Sequence, residues 1–434
     1  MKINIFWFRR DLRLQDNTAL YHALNSGLPV LPVFIFDTNI TDDLPEDDPR
    51  LNFIYYTLLD INNELSKYGS SLTILKGDPL QKWEELISSY DISEVFINKD
   101  YEPYAIERDR QAESLLSKNK IILNRYKDQV IFEENDILKQ DGKPYTVFTP
   151  YKKRWLGKFK ESLPGIINTY KADLNRFHKY KSRFPLINEL HLRESNIKVR
   201  PYDLSVISEY DKYRDIPAID RTSYLSPHLR FGTISIREVS EASYKQNTVF
   251  LSELVWREFF MQILFHFHHV VTENFRPSYN NLIWLNDEKE FDRWCRGETG
   301  YPIVDAGMRQ LNETGYMHNR VRMITAGFLC KHLLIDWRLG EAWFAGKLLD
   351  YELSSNNGNW QWAAGTGCDA APYFRIFNPD TQQKKYDPEM EYTERWVGNT
   401  GKSSYPEKMI DHKYARERAI STYRESLTRK PIRK

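Results

Sequence analysis

A change of hydrophobic period near residue 130 constrains this chain more than any other feature. Before it, short β-branched runs alternate with segments whose apolar residues recur every three to four positions. Residues 3–8, 30–36, 72–76, 94–98 and 121–124 read as buried strands, with helical patterns such as 51–68 and 79–90 between them. Parallel neighbours need a crossover, so this alternation predicts a doubly wound parallel α/β domain over residues 1–130. Residues 131–205 lose the period and predict a long interdomain linker. From 206 to 434 the pattern is helical, as in 234–244, 251–268 and 318–332, which predicts an all-helical second domain. The expected fold class is thus α/β followed by α.

Charge follows the same division. The 61 Lys/Arg and 60 Asp/Glu nearly cancel to +1, yet they are segregated. Residues 37–48 hold six acids and no base, a solvated loop, whereas 142–200 hold 14 bases against four acids and 408–434 nine against three. The neutral total conceals basic stretches suited to phosphates, and such binding weakens as salt rises. Three cysteines (Cys295, Cys330 and Cys368) without a CxxC pair exclude a disulfide framework and a zinc module, and point to a reducing compartment. The apolar run before Arg9 is too short for a signal peptide, and no stretch reaches the roughly 18 apolar residues of a membrane span. A cytoplasmic protein without membrane association is expected.

The chemistry-bearing residues lie in the helical part. No Walker-type phosphate loop is present, and the one GxGxxA match, Gly365 to Ala370, follows Trp360-Gln-Trp362 where a dinucleotide turn needs a strand. His266, His268 and His269 lack a companion carboxylate or cysteine and read as a solvated helix face, so no metal site is expected. Tryptophan is the stronger lead, with seven of the 11 between residues 256 and 362. Trp294 and Trp343 read as core. Trp360 and Trp362 sit in SSNNGNWQWAAGTG, polar and glycine-rich enough to predict an extended or tightly turned loop beside a ligand. Glu253 and Arg257 share a helix face next to Trp256, and Asn319, Arg320 and Arg322 lie on another helix, ahead of Asp350 and Asn356. Aromatic faces, amides and arginines together suit a flat polar ligand and an anionic strand.

These residues sit in runs that resemble a known family. TGYPIVDAGMRQLNETGYMHNRVRMITAGFLCKHLLIDWRLGE, LSSNNGNWQWAAGTGCDAAPYFRIFNP, WFRRDLRLQDN, and TSYLSPHLRFGTIS followed by ELVWREF are similar to the photolyase/cryptochrome family over essentially the whole chain. MHNR with Met323 following is most similar to class I cyclobutane pyrimidine dimer photolyases; relatives acting on (6-4) photoproducts carry histidines there.

The resemblance implies FAD bound in a U shape in the helical domain. Tyr210, Thr222, Ser223, Tyr224, Leu225 and Ser226 match its phosphate positions. Phe250, Arg257, Asp350, Tyr351 and Glu352 match positions lining the cofactor, with Arg322 pairing to Asp350. Asn356 would face flavin N5, where a neutral amide adds no charge. Trp256 and Trp362 match the pair that sandwiches a flipped-out dimer, and Glu253 and Asn319 match groups that hydrogen-bond its bases. Arg214, Arg257, Arg320, Met323 and Gln382 match further DNA-contacting positions. Trp360, Trp337 and Trp284 match a chain of indoles that carries electrons to the flavin. The sequence departs from the common pattern at Phe250 and Tyr316 (Trp elsewhere), Tyr224 (Arg) and Glu352 (Asp).

The implied activity is light-dependent repair of pyrimidine dimers in DNA, by electron transfer from photoexcited FADH⁻ to a flipped-out dimer. The alternative is a blue-light photoreceptor of the cryptochrome type. Asn356, the Trp256/Trp362 pair, Glu253 and the lack of a long C-terminal extension stand against it. A second, light-harvesting chromophore, methenyltetrahydrofolate or deazaflavin, is expected in the α/β domain near residues 98–109. The resemblance further implies a monomer whose partner is DNA containing such dimers.

Overall fold

The computed structural model describes residues 1–398, 400 and 404–428, so the last six residues of the basic C-terminal stretch lie outside the described residues. The expected strand runs form β1 (Ile3–Phe8), β2 (Val30–Asp37), β3 (Thr73–Gly77), β4 (Ile92–Asn98) and β5 (Ile122–Tyr126). All pair in parallel, in the order β3-β2-β1-β4-β5. Helices α1 (Thr18–Asn25), α2 (Pro49–Ser66), α3 (Pro79–Ser89) and α4 (Pro103–Lys118) lie along the crossovers.

Side chains on successive strand residues go to opposite faces, and both faces are covered. Ile3, Ile5 and Trp7 of β1 join Val33, Ile35, Val95 and Ile97 in one core, while Phe6 and Phe8 join Phe34, Phe36 and Phe96 in the other. Double coverage leaves β1 and β2 buried along their whole length. The expectation of five buried strands needs correcting at the edges, where β3 and β5 are half-buried for want of a neighbour on one side. The acidic loop also does more than meet solvent. Asp37 caps a single turn at Thr38–Thr41, and Asp48 caps α2 ahead of Pro49 while pairing with Arg50.

The chain forms two compact units, each assembled from separate pieces. The α/β unit takes residues 1–136, 156–204 and 224–245, and the helical unit takes 137–155, 205–223 and 246–434. This differs from an expected division at 130 and 205. The stretch expected to be an irregular linker contains a helix, α5 (Phe148–Glu161), with Phe148, Tyr151, Trp155 and Phe159 buried at three- and four-residue spacing. Next come α6 (Leu225–Phe231), α7 (Ile236–Gln246), α8 (Thr248–His266), α9 (Glu288–Arg296), α10 (Pro302–Thr314) and α11 (Asn319–Gly327), the last running into a π-helical turn at Phe328–His332. They are followed by α12 (Trp337–Lys347), α13 (Leu353–Ala364), α14 (Pro379–Tyr386), α15 (Glu391–Val397) and α16 (His412–Thr428). Among the described residues no helix is long and apolar enough to cross a membrane, and no cluster of His, Cys, Asp or Glu could hold a metal ion. All three cysteines are free and buried.

A buried ionic cluster ties residues 224–245 to the α/β unit. Arg237 Nε donates to both carboxylate oxygens of Asp16, at 2.9 and 3.1 Å, and its Nη2 donates to Asp128 Oδ1 at 2.7 Å. Arg13 Nη2 reaches the other oxygen of Asp128 at 2.6 Å. Burial works to raise the Asp128 pKa, but the two guanidinium groups outweigh it and hold the carboxyl below its usual range. Removing one member leaves an uncompensated buried charge, which costs about 3–5 kcal/mol. Arg237→Met is therefore expected to destabilise the α/β unit by about that amount, read as a lowered denaturant midpoint; an unchanged midpoint would refute the role.

Candidate functional site

The segment expected to be a loop around Trp360 and Trp362 is instead helix α13, and the two indoles diverge from it. Trp360 is 2% exposed, whereas Trp362 is half-buried. The polar residues that suggested a loop are buried because they serve the irregular backbone at 270–275. Asn357 Nδ2 donates to Val270 O at 2.8 Å, Gln361 Nε2 donates to the same oxygen at 3.1 Å, and Phe275 N donates to Gln361 Oε1 at 2.8 Å. Gly365, read from the sequence as unfit for a pyrophosphate turn, ends α13 at φ +81.

Glu352, Asn356 and Trp360 recur every four residues and share one face of α13. That face meets α12. Asn356 Nδ2 donates to Glu341 Oε1 at 2.8 Å and to Glu341 O at 3.1 Å. With the amide nitrogen so engaged, Asn356 Oδ1 is left as the acceptor. Burial pushes the Glu341 carboxyl pKa up, partly offset by the Asn356 hydrogen bond. One turn on, the Trp360 ring packs on Gly340, where an added Cβ would lie 2.2 Å from Cη2. Sequence reasoning missed Glu341, since nothing local marks it.

Two arginines sit beside this face, each paired with an acid. Arg322 donates to both oxygens of Asp350, at 3.2 and 2.9 Å, and to Met317 O at 2.9 Å. Arg257 meets Glu352 at 3.3 Å. The predicted Arg322–Asp350 pair is therefore present, and Tyr351 lies half-buried between the two acids in sequence.

A second group gathers along α8. Glu253 accepts from Arg214 at 2.8 Å, and Arg214 lies 5.1 Å over the Tyr210 ring, which meets Phe250 edge-on at 4.9 Å. Burial, and then the Glu253 charge, push the Tyr210 hydroxyl pKa up. Trp256, one turn along from Glu253, is half-buried with Phe148 stacked on it. Arg320 is held by Asp215 at 2.7 Å and lies 4.4 Å over Tyr386 of α14, with Met323 Sδ 3.6 Å from its Nη1. Asn319 is exposed at the start of α11, and Gln382 is half-buried on α14. Phe148 and Asp215 were not anticipated, because both meet their partners across long stretches of sequence.

The three indoles expected to carry electrons belong to one apolar cluster. Trp360 and Trp337 are buried in it, and the half-buried Trp284 packs against it. Trp294, read as core, is indeed fully buried, and meets Trp360 edge-on at 6.1 Å. The segment from Thr222 to Ser226 is divided, with Thr222 and Ser223 in the helical unit and Tyr224, Leu225 and Ser226 in the α/β unit. Tyr224 adopts φ +52 ahead of α6, and its hydroxyl accepts from Arg200 at 2.6 Å. Near the expected antenna segment, acids and bases pair with each other. Arg10 meets Asp100 and Glu102, Arg108 meets Asp37 and Asp109, and Tyr104 donates to Asp37 at 2.7 Å.

Comparison with known proteins decides the family. Residues 4–167 match the model described as DNA photolyase, and residues 250–404 the model described as FAD binding domain of DNA photolyase. A Vibrio cholerae protein named deoxyribodipyrimidine photo-lyase is 34% identical, with 97% of this chain and 99% of that protein covered. The chain belongs to the DNA photolyase family. An Agrobacterium fabrum photo-lyase is 35% identical, covering 96% of this chain and 97% of its own length. A bacterial class III photolyase from Agrobacterium tumefaciens superposes with TM-score 0.86 at 34% identity, covering 99% of this chain and 98% of that one. An archaeal photolyase from Sulfolobus tokodaii, described with two FAD molecules and a novel light-harvesting cofactor, gives 0.79 at 32%, covering 98% and 100%.

The donor set fits the cofactor that defines the family's second model. Two arginines held in place by Asp350 and Glu352 offer fixed guanidinium donors to a polar ligand, and an amide fixed by Glu341 presents a neutral acceptor. Next to them, His318 Nδ1 accepts from Arg320 N at 3.2 Å and caps α11. Burial pushes its pKa down to about 4. The unfolded chain takes up this proton near pH 6.5, so acid favours unfolding between pH 6.5 and 4, and stability falls as pH drops through that window. His318→Asn is expected to retain the cap and flatten the melting profile over that range. A variant with the wild-type acid slope would show that His318 does not set it.

Proposed function

We propose that this protein repairs cyclobutane pyrimidine dimers in DNA under blue light. The observation carrying this reading is the concurrence of near-full-length relatives named deoxyribodipyrimidine photo-lyase with Glu253, Trp256, Asn319, Asn356 and Trp362 in one helical unit. When bound, FAD in its reduced form supplies light absorption and the electron that opens the dimer, which is chemistry a side chain cannot perform.

This chain's residues bind and orient. Arg257, Arg322, Asp350, Tyr351 and Glu352, with Tyr210 and Phe250, hold the cofactor, and Asn356 presents its carbonyl oxygen to the ring. A damaged base pair stacks poorly, so its extrusion costs less than that of an intact one. Trp256 and Trp362 take the extruded bases, with stacking worth about 1–3 kcal/mol per base. Glu253, held by Arg214, and the exposed Asn319 supply hydrogen bonds to the base edges. Arg214, Arg320, Met323 and Gln382 meet the strand around the lesion. Trp360, Trp337 and Trp284 return the cofactor to its reduced form, since short hops between indoles span a distance that one transfer cannot. The antenna role of the α/β unit and a monomeric state belong to the same reading.

The deciding experiment lights purified, reduced protein in the presence of dimer-containing DNA. Restored thymines are expected, and intact lesions beside normal flavin photoreduction would favour a photoreceptor. Trp256→Ala should weaken dimer binding about 5- to 150-fold. Trp360→Phe should slow photoreduction while leaving repair by pre-reduced protein largely intact; loss of that repair would count against its place in the electron path.

A further inference from the structure

We propose that Phe148 is a positioning residue for the lesion site, backing one face of the Trp256 indole so that a pyrimidine dimer stacks on the other. The inference rests on the reading that Trp256 receives the lesion. The ring centroids of Phe148 and Trp256 are 3.5 Å apart, with only 8° between their planes. This is a face-on stack at contact distance, and it leaves no room for a third ring on that side.

The stack is built to hold. Phe148 is 7% exposed and its backbone N–H donates to Asp369 Oδ2 at 3.0 Å. Asp369 follows α13, the helix that carries Trp362, and adopts φ +31. Phe148 and Trp256 both meet Phe259 edge-on, at 5.8 and 5.7 Å. The first half of α5 is fastened to α8 at two further points. Tyr151 packs on Phe259 at 5.1 Å, and Trp155 Nε1 donates to Glu258 Oε1 at 2.6 Å. Phe260 also lies near the indole, at 5.5 Å and 26°, an offset stack that overlaps it less than Phe148 does. It is fixed against Gly358, where an added Cβ would lie 2.1 Å from its Cδ1.

A half-buried indole on a helix ordinarily keeps several rotamers, and ordering it on binding costs affinity. Phe148 removes that freedom in advance. It also decides which face of Trp256 is offered, a selection that Trp256 cannot make alone.

The test uses flavin-loaded full-length protein and compares affinity for a duplex carrying one thymine dimer with affinity for the undamaged duplex. Phe148→Ala is expected to weaken dimer binding about tenfold, the value of one aromatic stack, with undamaged binding and flavin content unchanged. Phe148→Tyr should restore wild-type affinity. In a Trp256→Ala background, Phe148→Ala should cause no further loss, because its effect passes through the indole. Phe148→Leu keeps the volume without the flat ring and replaces the alanine variant if that one fails to fold. Wild-type dimer affinity in the alanine or leucine variant overturns the proposal, as do fully additive losses in the double variant. A wild-type protein that does not prefer dimer DNA, or Trp256→Ala without effect, overturns the underlying reading and this inference with it.

Discussion

Neutralising charge in a place without water is the constraint on which this architecture turns. Arg237, Asp16, Asp128 and Arg13 are all buried or nearly so, and each is affordable only while the others remain. A cluster of this kind adds little net stability over an apolar equivalent. What it supplies is a demand for specific partners, which a greasy contact does not make. Residues 224–245, far along the chain from the strands, consequently join the α/β unit, and α7 has one position in which Arg237 is satisfied.

The helical unit applies the same physics with amides. Helix α13 is polar, yet it is buried, because Asn357 and Gln361 satisfy backbone groups of the irregular stretch 270–275. Amides that bind main chain locate a helix axially as well as rotationally. This rotation places Asn356 and Trp360 one turn apart on the face toward α12, where Glu341 fixes the first and Gly340 makes space for the second. The residue proposed to face the flavin and the residue proposed to feed it electrons are therefore set by a single rotational choice.

The sheet was legible because periodicity is a local property. All five strand runs lie within two residues of their structural bounds, and their parallel direction follows from the helices between them. Legibility failed where a residue's fate depends on something distant. α13 read as a loop because its amides have partners 86 to 91 residues away. α5 read as linker because its exposed lysines and arginines masked a buried stripe of Phe148, Tyr151, Trp155 and Phe159, a spacing that was there to be found. The Arg322–Asp350 pair came from family resemblance and not from spacing. The partners of Glu341 and Phe148 left no sequence signal, since a hydrogen bond to Asn356 and a stack on Trp256 are contacts that only folding reveals.

The interleaving of the two units bears on the order in which the chain can fold as it is made. Synthesis presents the N-terminus first, at about 5–20 residues per second, and contiguous domains fold as they emerge. Here all five strands are available once β5 has emerged, yet Asp16 and Asp128 wait for Arg237. Phe148 and Trp155 likewise wait for Trp256 and Glu258. The α/β unit cannot close until Arg237 has emerged, and the helical unit, whose last piece begins at residue 246, closes later still, so the sheet spends the first interval with buried carboxylates short of a partner. Interleaving therefore postpones completion of the α/β unit until its last piece, residues 224–245, has been made, and leaves the sheet a vulnerable period during translation.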